Sequence, residues 1–288
     1  MPADACRNLF AAADRLGLRE SQFGLRASGL GNESRSMQRR RLLHFTAALC
    51  TGAMAAQPAN ESSRRYSVLS LVGDKLKIIT AQMQTGSMLD RNRRDEIAIP
   101  DGSIDLFAAQ STKRELSRLA TDASIDIFSA NSEALYTNPF RVEGNGAFSA
   151  SQELTEILSA APKSHTVLLT KHKAEASLRA RNSSQGHGKL EGLGFYIDHQ
   201  QRMRRSDTGE TGQGYLGIFV NVHIWLLDWE NRKILNDVAF SESSTYSAAR
   251  GESGVDPWNA LDATQKLAQL RSLLQTGIVK TTPKLLKI

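Results

Sequence analysis

The chain has 288 residues, with 36 Lys and Arg against 30 Asp and Glu, and its pI is about 9.4. Residues 1–56 hold eight of the Arg and four of the acids, so the chain from Gln57 onward carries 28 basic and 26 acidic residues. Proteins that bind nucleic acid usually present a stripe of excess positive charge, and this near-neutral remainder excludes nucleic acid as the expected partner. Both cysteines, Cys6 and Cys50, precede Gln57, so the remainder depends on neither disulfides nor thiol chemistry.

Residues 37–55 have the layout of a signal peptide. Three consecutive Arg at 39–41 are followed by an apolar stretch at 42–50 and by the small-residue cleavage motif Ala53-Met54-Ala55. We therefore expect export to the periplasm or beyond, with cleavage after Ala55. On this interpretation residues 1–36 are a wrongly assigned, disordered extension and residues 56–65 are a linker.

Three other interpretations of the leader stay open. A permanent membrane anchor needs about 20 apolar residues, more than this stretch offers, and we expect no transmembrane span after cleavage. Arg39-Arg40, followed after one residue by Leu42-Leu43, is also compatible with a twin-arginine signal. Lipid attachment at Cys50 is less expected, because Leu49 stands where lipoprotein signals carry a small residue.

The first half of the remaining chain alternates predicted strands and helices. Strands are predicted at 66–72 and 76–81, and Gly73-Asp74-Lys75 between them indicates a hairpin. Polar residues 82–103 are expected to form a loop, and Ser103 to cap a helix over 104–121 with Asp105 in its first turn. A short strand follows at 124–129.

The middle of the chain continues this order. The spacing of Ser149 and Gln152 predicts a capping box for a helix over 150–161 that ends at Pro162. Residues 166–170 are apolar on both faces, as in a central strand. Residues 173–181 are compatible with a helical turn or with an extension of that strand, and 190–197 predict another strand.

The clearest pattern lies at 215–228, where every even position from Leu216 to Leu226 is aliphatic. This period of two predicts a strand with one core face; the other face carries Phe219, Asn221, His223 and Trp225. Residues 198–214 before it are expected to be a polar loop, and residues 234–246 after it to be the return strand of a hairpin.

The last element is a helix that Asp256-Pro257 is expected to start and Gly277 to end. The positions expected to form its buried stripe are Leu261, Leu267, Ala268, Leu270 and Leu274. Together the elements predict one α/β (α+β) domain over 66–288. It should contain a single mixed, largely antiparallel sheet, helices mainly on one face, and a long C-terminal hairpin followed by a helix.

The stretch 124–233 also supports a family comparison. It combines a short strand, a capped helix, the apolar strand around Leu168, a glycine-rich break, and a long strand that ends Leu226-Leu227-Asp228 before a turn. This order resembles the α/β domain of curli-secretion lipoproteins and the amino-terminal domain of the Tol-system translocation protein. The turn reads Trp229-Glu230-Asn231-Arg232 where those families carry Thr-Gly.

The chain is also similar to a group of uncharacterised exported proteobacterial proteins. The resemblance implies a non-enzymatic envelope module that binds protein or supports assembly. Envelope proteins or further copies of the chain are therefore the expected partners.

Two groups of residues are candidates for a site. His187, Asp198 and His199 could bind a metal ion with an open position for water, which would make the chain a periplasmic hydrolase or metal-dependent enzyme; the alternative is that they are polar surface residues. Arg202, Arg204 and Arg205 could contact an anionic surface, or belong to a solvated loop.

The tryptophans are expected to differ in exposure. Trp229 lies at a predicted turn and is expected to be exposed and available for interaction, whereas Trp225 and Trp258 are expected to pack. No catalytic residue and no cofactor is predicted, and the sequence favours an interaction module over an enzyme.

Overall fold

The structure is a computed structural model that describes residues 64–82, 90–99, 101–130, 132–161, 164–180, 183–205, 207–250 and 256–287. The predicted extension at 1–36, the signal peptide at 37–55 with Ala53 and Ala55, and most of the linker lie outside the described residues. Pro162 lies outside them as well.

Thirteen strands lie in the described residues: β1 (Arg65–Leu71), β2 (Lys75–Thr80), β3 (Arg93–Ala98), β4 (Ser124–Phe128), β5 (Phe140–Val142), β6 (Phe148–Ala150), β7 (His165–Lys171), β8 (Lys173–Glu175), β9 (Leu178–Arg179), β10 (Ser184–Gln185), β11 (Lys189–Arg204), β12 (Thr211–Asp228) and β13 (Lys233–Ser247). Four α-helices accompany them: α1 (Ser103–Leu119), α2 (Glu133–Thr137), α3 (Gln152–Leu158) and α4 (Ala263–Leu286). The mixed α/β class, the single large and mostly antiparallel sheet, and the C-terminal hairpin followed by a helix are confirmed.

β12 is the spine of the sheet. One of its edges pairs antiparallel with two strands placed end to end, β11 along its first part and β7 along its last part. β1 runs parallel to β7 and β2 parallel to β11, while β4 and β3 add outer strands to β1 and β2. The sheet therefore has two halves that lie one after the other along the same edge of β12. Among the described strands, β13 alone pairs with the other edge of β12.

A small junction joins the two halves. The His172 N–H donates to the Asn221 carbonyl at 3.1 Å, and the His172 carbonyl accepts from the Gly192 N–H at 3.1 Å. The side chain of Asn221, which is 3% exposed, donates from Nδ2 to the Leu190 carbonyl at 3.1 Å. The segment 173–191, which contains β8, β9 and β10, leaves the line of β7 and returns to it at β11. Asn221 binds the chain at both ends of this segment, through His172 and Leu190, so that β7 and β11 stay collinear.

Gly192 completes this junction. Its φ of +69° is the left-handed conformation that glycine adopts without steric penalty. A Cβ atom there would lie 3.3 Å from Cγ of Lys171, the last residue of β7. The chain can therefore re-enter the sheet directly beside the strand that it left.

The crossing from β1 to β2 depends on Asp105 in the first turn of α1. Its Oδ1 accepts from the N–H groups of Val72 and Gly73 at 2.8 and 3.1 Å and from Ser70 Oγ at 2.7 Å, and Tyr136 OH donates to Oδ2 at 2.7 Å. The predicted hairpin at 73–75 is therefore wrong. Asp105 accepts hydrogen bonds from the two backbone N–H groups that a tight turn would use. The chain therefore crosses from the half of the sheet that contains β1 to the half that contains β2.

The two long helices cover one face of the sheet. α1 and α4 pack on each other and on the strands beneath them. The six aliphatic residues at even positions of β12 all lie in the core on this face, which confirms the predicted alternation. On the other face, α2, α3 and the β5–β6 hairpin cover Leu168 and Leu227, while Leu178 at the start of β9 packs with Tyr196 and Phe219.

The C-terminal helix begins and ends later than predicted. Asp262, not Asp256, is its N-cap and forms a capping box with Gln265. Asp256 caps a separate 3₁₀ turn at Pro257–Ala260 by accepting from the Trp258 N–H. Gly277 does not end the helix but lies inside it. The Phe240 ring fills the space that a Cβ atom at position 277 would need, so glycine is the residue that fits there. Within the predicted stripe, Ala268 is exposed and Leu267 is half-buried.

Several polar segments are ordered where loops were predicted. Within 82–103, β3 pairs with β2; within 198–214, β11 extends to Arg204 and β12 starts at Thr211, with a register shift between Asp198 and Arg202. Residues 173–181 contain β8 and β9 in place of a helical turn. Helix α3 is capped by Ser151, whose side chain accepts from Leu154 N–H, because Ser149 belongs to β6.

Replacing Asn221 by Ala should lower the free energy of unfolding by about 1–3 kcal/mol, because the buried Leu190 carbonyl loses its donor. Chemical denaturation measures this change. Asn259→Ala, at an exposed position whose side chain makes no hydrogen bond to the described residues, is the matched control and should change stability by less than about 0.5 kcal/mol. Equal effects of the two substitutions would show that the junction does not stabilise the sheet.

Lys266 in the first turn of α4 is a buried cation without a buried acid beside it. It is 3% exposed, donates to the Leu261 carbonyl at 2.8 Å, and its Nζ lies 4.0 Å from the centre of the Trp258 ring. Burial lowers the pKa of the Lys266 ammonium to about 8, although Asp262 and Asp256 favour the charged form.

Since the pKa of Lys266 is about 8 in the folded chain and about 10.4 in an unfolded one, the unfolded chain binds more protons between these values. The free energy of unfolding should therefore rise by about 2 kcal/mol between pH 7 and 9.5 from this group. Lys266→Met should lack this rise, measured as the difference between the two proteins in denaturant titrations at each pH. A constant difference across that range would contradict the assignment.

Candidate interaction site

The outer edge of β13 is the longest unpaired strand edge in the described residues. β13 pairs with β12 along its length, and beyond that ladder it makes one isolated bridge, between Lys233 and Ala147. Helix α4 packs against the helix-covered face of β13, where Asn236 Nδ2 donates to the carbonyls of Lys284 and Leu285. The outer edge from 236 to 245 makes no backbone ladder with another described strand.

The direction of the backbone groups on this edge follows from the junction at Asn221. Because the Asn221 carbonyl accepts from His172, the odd residues of β12 direct their backbone groups away from β13. Even residues of β12 therefore bond to even residues of β13, as in the pair Val222 and Phe240. It follows that the N–H and C=O groups of Asp237, Ala239 and Ser241 point outward.

The two acids of β13 each have a partner side chain within the chain. Asp237 Oδ2 lies 2.7 Å from His223 Nε2, and Glu242 Oε1 lies 2.6 Å from Lys280 Nζ. Strand edges that must not pair usually carry free charges, Pro or inward-pointing Lys. The sequence from Ile234 to Ser247 contains neither Pro nor Lys, and these two acids are its only charged residues. The edge therefore lacks the usual barriers to pairing.

An aromatic strip lies beside the edge on the face opposite the long helices. The His223 ring stacks on Trp225 with centroids 3.8 Å apart, and His172 meets His223 edge to face at 5.6 Å. Trp225 Nε1 donates to Thr170 Oγ1 at 2.9 Å. Burial, together with the nearby His223, lowers the pKa of His172, so the uncharged ring is favoured in this strip.

The predicted metal ligands are not brought together. His187 Nδ1 lies 3.2 Å from Tyr196 OH, whereas Asp198 Oδ1 accepts from the N–H groups of Gln200 and Gln201, and His199 is exposed. Across the described ranges, no group of three or more His, Cys, Asp or Glu could hold a metal ion. Each of these side chains has a local structural role or faces solvent.

The expected exposure of Trp229 is wrong, since its side chain is 5% exposed. The turn after β12 folds against the β5–β6 hairpin, where the Phe148 N–H donates to the Arg232 carbonyl at 3.0 Å. Trp229 packs on Phe148, and the Arg232 guanidinium lies 4.0 Å from its ring centre. Trp225 is half-buried and Trp258 is buried, as predicted.

The arginine cluster is brought together at the far end of the sheet. Arg202, Arg204 and Arg205 line one open cleft of about 760 Å³ with residues of the β9–β10 hairpin and the end of β13. The charged segment 90–96 differs, because Arg94 pairs with Asp90 and Arg93 with Asp95. Arg91 in this segment is exposed and makes no ion pair in the described residues, but only the first cluster brings two such arginines, Arg202 and Arg204, to one cleft.

Comparisons with known proteins identify no family for the chain. No family model matches it, and no curated protein matches it. Among solved structures, the neuraminyllactose-binding hemagglutinin homolog of Helicobacter pylori is 11% identical with a TM-score of 0.36, over 78% of this chain and 87% of that one.

Two further bacterial structures show similar values. Protein XCC0632 of Xanthomonas campestris, of family DUF330, is 7% identical with a TM-score of 0.28, over 76% of this chain and 88% of that one. The hypothetical protein CT253 of Chlamydia trachomatis is 10% identical with a TM-score of 0.25, over 76% and 99%. These likenesses are too low to assign a function, and none of the three descriptions names a curli-secretion or Tol-system protein.

The helices that the structure describes include none with the length and apolar character needed to cross a membrane.

Proposed function

We propose that the chain is an exported cell-envelope protein that acts as an assembly module, and that it pairs through the outer edge of β13 with the same strand of a second copy. The observation that carries this proposal is that no described strand pairs with the outward backbone groups of Asp237, Ala239 and Ser241, on an edge whose two acids each have a partner side chain. Strand addition of this kind derives its affinity from main-chain hydrogen bonds.

The residues along the edge favour a second copy as the occupant. Antiparallel pairing centred on Ala239 places Asp237 opposite Ser241 and Val238 opposite Phe240. Neither Asp237 nor Glu242 then faces an acid, so like charges do not oppose the pairing. The same patch serves both partners, which is the requirement of a two-fold symmetric interface.

The leader and the overall charge support the envelope as the location. The signal-like sequence at 37–55 precedes a remainder that is nearly neutral and free of Cys. The alternative of a metal-dependent enzyme is not advanced, since His187, Asp198 and His199 do not converge in the described structure.

Ala239→Pro should convert an assembled protein to a monomer, because proline removes an outward N–H and leaves the inward ladder to β12 intact. Sedimentation velocity over a series of concentrations measures the change. Ala239→Val at the same exposed position keeps the N–H and is the matched control, which should assemble like the parent protein. A parent protein that stays monomeric at all concentrations would refute the second copy as occupant.

Expression from Met37 in a Gram-negative host should yield a periplasmic product that begins at Ala56 or Gln57, because Ala53 and Ala55 form the cleavage motif. Fractionation followed by intact mass measurement gives the result, and Ala55→Arg should block cleavage as the control. A full-length cytoplasmic product would contradict export, whereas added lipid mass on Cys50 would identify a lipoprotein.

A further inference from the structure

We infer that the cleft around Arg202 and Arg204 binds a phosphoryl group of a small molecule or lipid headgroup. The cleft lies between the end of β11, the β9–β10 hairpin and the end of β13, and its volume is about 760 Å³. Ligand sites typically enclose about 300–1,000 Å³, which leaves room for a phosphorylated molecule larger than the phosphoryl group alone.

Two arginines of the cleft keep free donor groups. Arg202 is exposed and makes no hydrogen bond or ion pair within the described part of the chain. Arg204 donates only from Nε, to the Gly209 carbonyl at 2.9 Å, so its two terminal nitrogens keep their donors. The two side chains are two residues apart in β11 and line the same cleft. Two guanidinium groups of this kind can hold one tetrahedral oxyanion.

The third arginine has a different role. Arg205 is held by Asp207, at 3.0 and 2.8 Å, and by Glu210 at 3.1 Å. The pKa of Arg205 is raised, chiefly by its hydrogen bond to Asp207. These pairs orient both carboxylates toward Arg205, and neither acid forms an ion pair with Arg202 or Arg204 in the described residues. The three arginines exceed these two acids by one positive charge.

The polar side chains on the opposite wall of the cleft are hydrogen-bonded to other groups of the protein. Gln201 Nε2 donates to Gln185 Oε1, and Gln185 Nε2 donates to Ser183 Oγ at 2.7 Å. Thr245 Oγ1 donates to the Arg179 carbonyl and Ser247 Oγ to the Met203 carbonyl. Among the described residues that line the cleft, the free donors are therefore mainly those of the arginines. A ligand that offers negatively charged acceptors matches this wall better than a neutral ligand.

The phosphoryl group could come from a soluble molecule or from a membrane lipid, and two probes separate these sources. Inorganic phosphate, followed by the Nε–H resonances of Arg202 and Arg204, tests the group itself. Vesicles of phosphatidylglycerol in phosphatidylcholine, compared with phosphatidylcholine alone, test the anionic headgroup by sedimentation. Phosphate binding without vesicle binding would identify a soluble ligand, and binding to both probes would identify a headgroup as a possible ligand source.

The decisive variant is the double substitution Arg202→Gln with Arg204→Gln, which should weaken phosphate binding by about tenfold or more because it removes both free guanidinium groups. Since this variant lacks the two reporter resonances, isothermal titration calorimetry measures phosphate binding in the parent protein and in both double variants. Arg114→Gln with Arg141→Gln removes two exposed arginines elsewhere and should leave binding unchanged. No resonance shift with phosphate, or equal loss in both double variants, would overturn the inference. Thermal denaturation of both variants confirms that folding is retained, and Ala239→Pro should not affect phosphate binding.

Discussion

The hydrogen bonds of Asn221 are the constraint on which the rest of the architecture depends. Its carbonyl receives His172 from the end of β7, and its side chain holds the Leu190 carbonyl just before β11 resumes the same line. Both strands are then aligned along one edge of β12, and β13 is the described strand that pairs with the other edge. The direction of the free backbone groups on β13 follows from the same junction.

The fold was predictable where a segment's own side chains carry the pattern. The even positions from Leu216 to Leu226 are aliphatic, and all of them are buried. Prediction failed where order comes from a partner strand. Residues 93–98 and 198–204 are rich in charge, yet they form strands because β2 and β12 supply backbone partners. The hairpin at 73–75 failed for a related reason, since Asp105, far away in sequence, takes its amides.

The candidate sites differ in how visible they are in the sequence. The arginines of the cleft stand close together in the chain, but the opposite wall comes from the β9–β10 hairpin and the end of β13, which no local pattern connects to them. The open edge of β13 depends on the order of strands in the sheet. The absence of Pro and Lys from 234–247 is the sequence signal that accompanies it. Trp229 was predicted to be exposed because it lies at a turn, but it is buried by the β5–β6 hairpin, which is distant in sequence.

The most direct test of the account is residue-resolved amide hydrogen exchange of β13 at low and high protein concentration. The account predicts that Val238, Phe240 and Glu242 are protected throughout, since they bond to β12. Asp237, Ala239 and Ser241 should exchange rapidly when the protein is dilute and become protected as copies pair. Protection of both sets at every dilution would mean that the outer edge is covered within the chain. Rapid exchange of the odd residues in an assembled protein would mean that copies associate elsewhere, and either result would contradict the account.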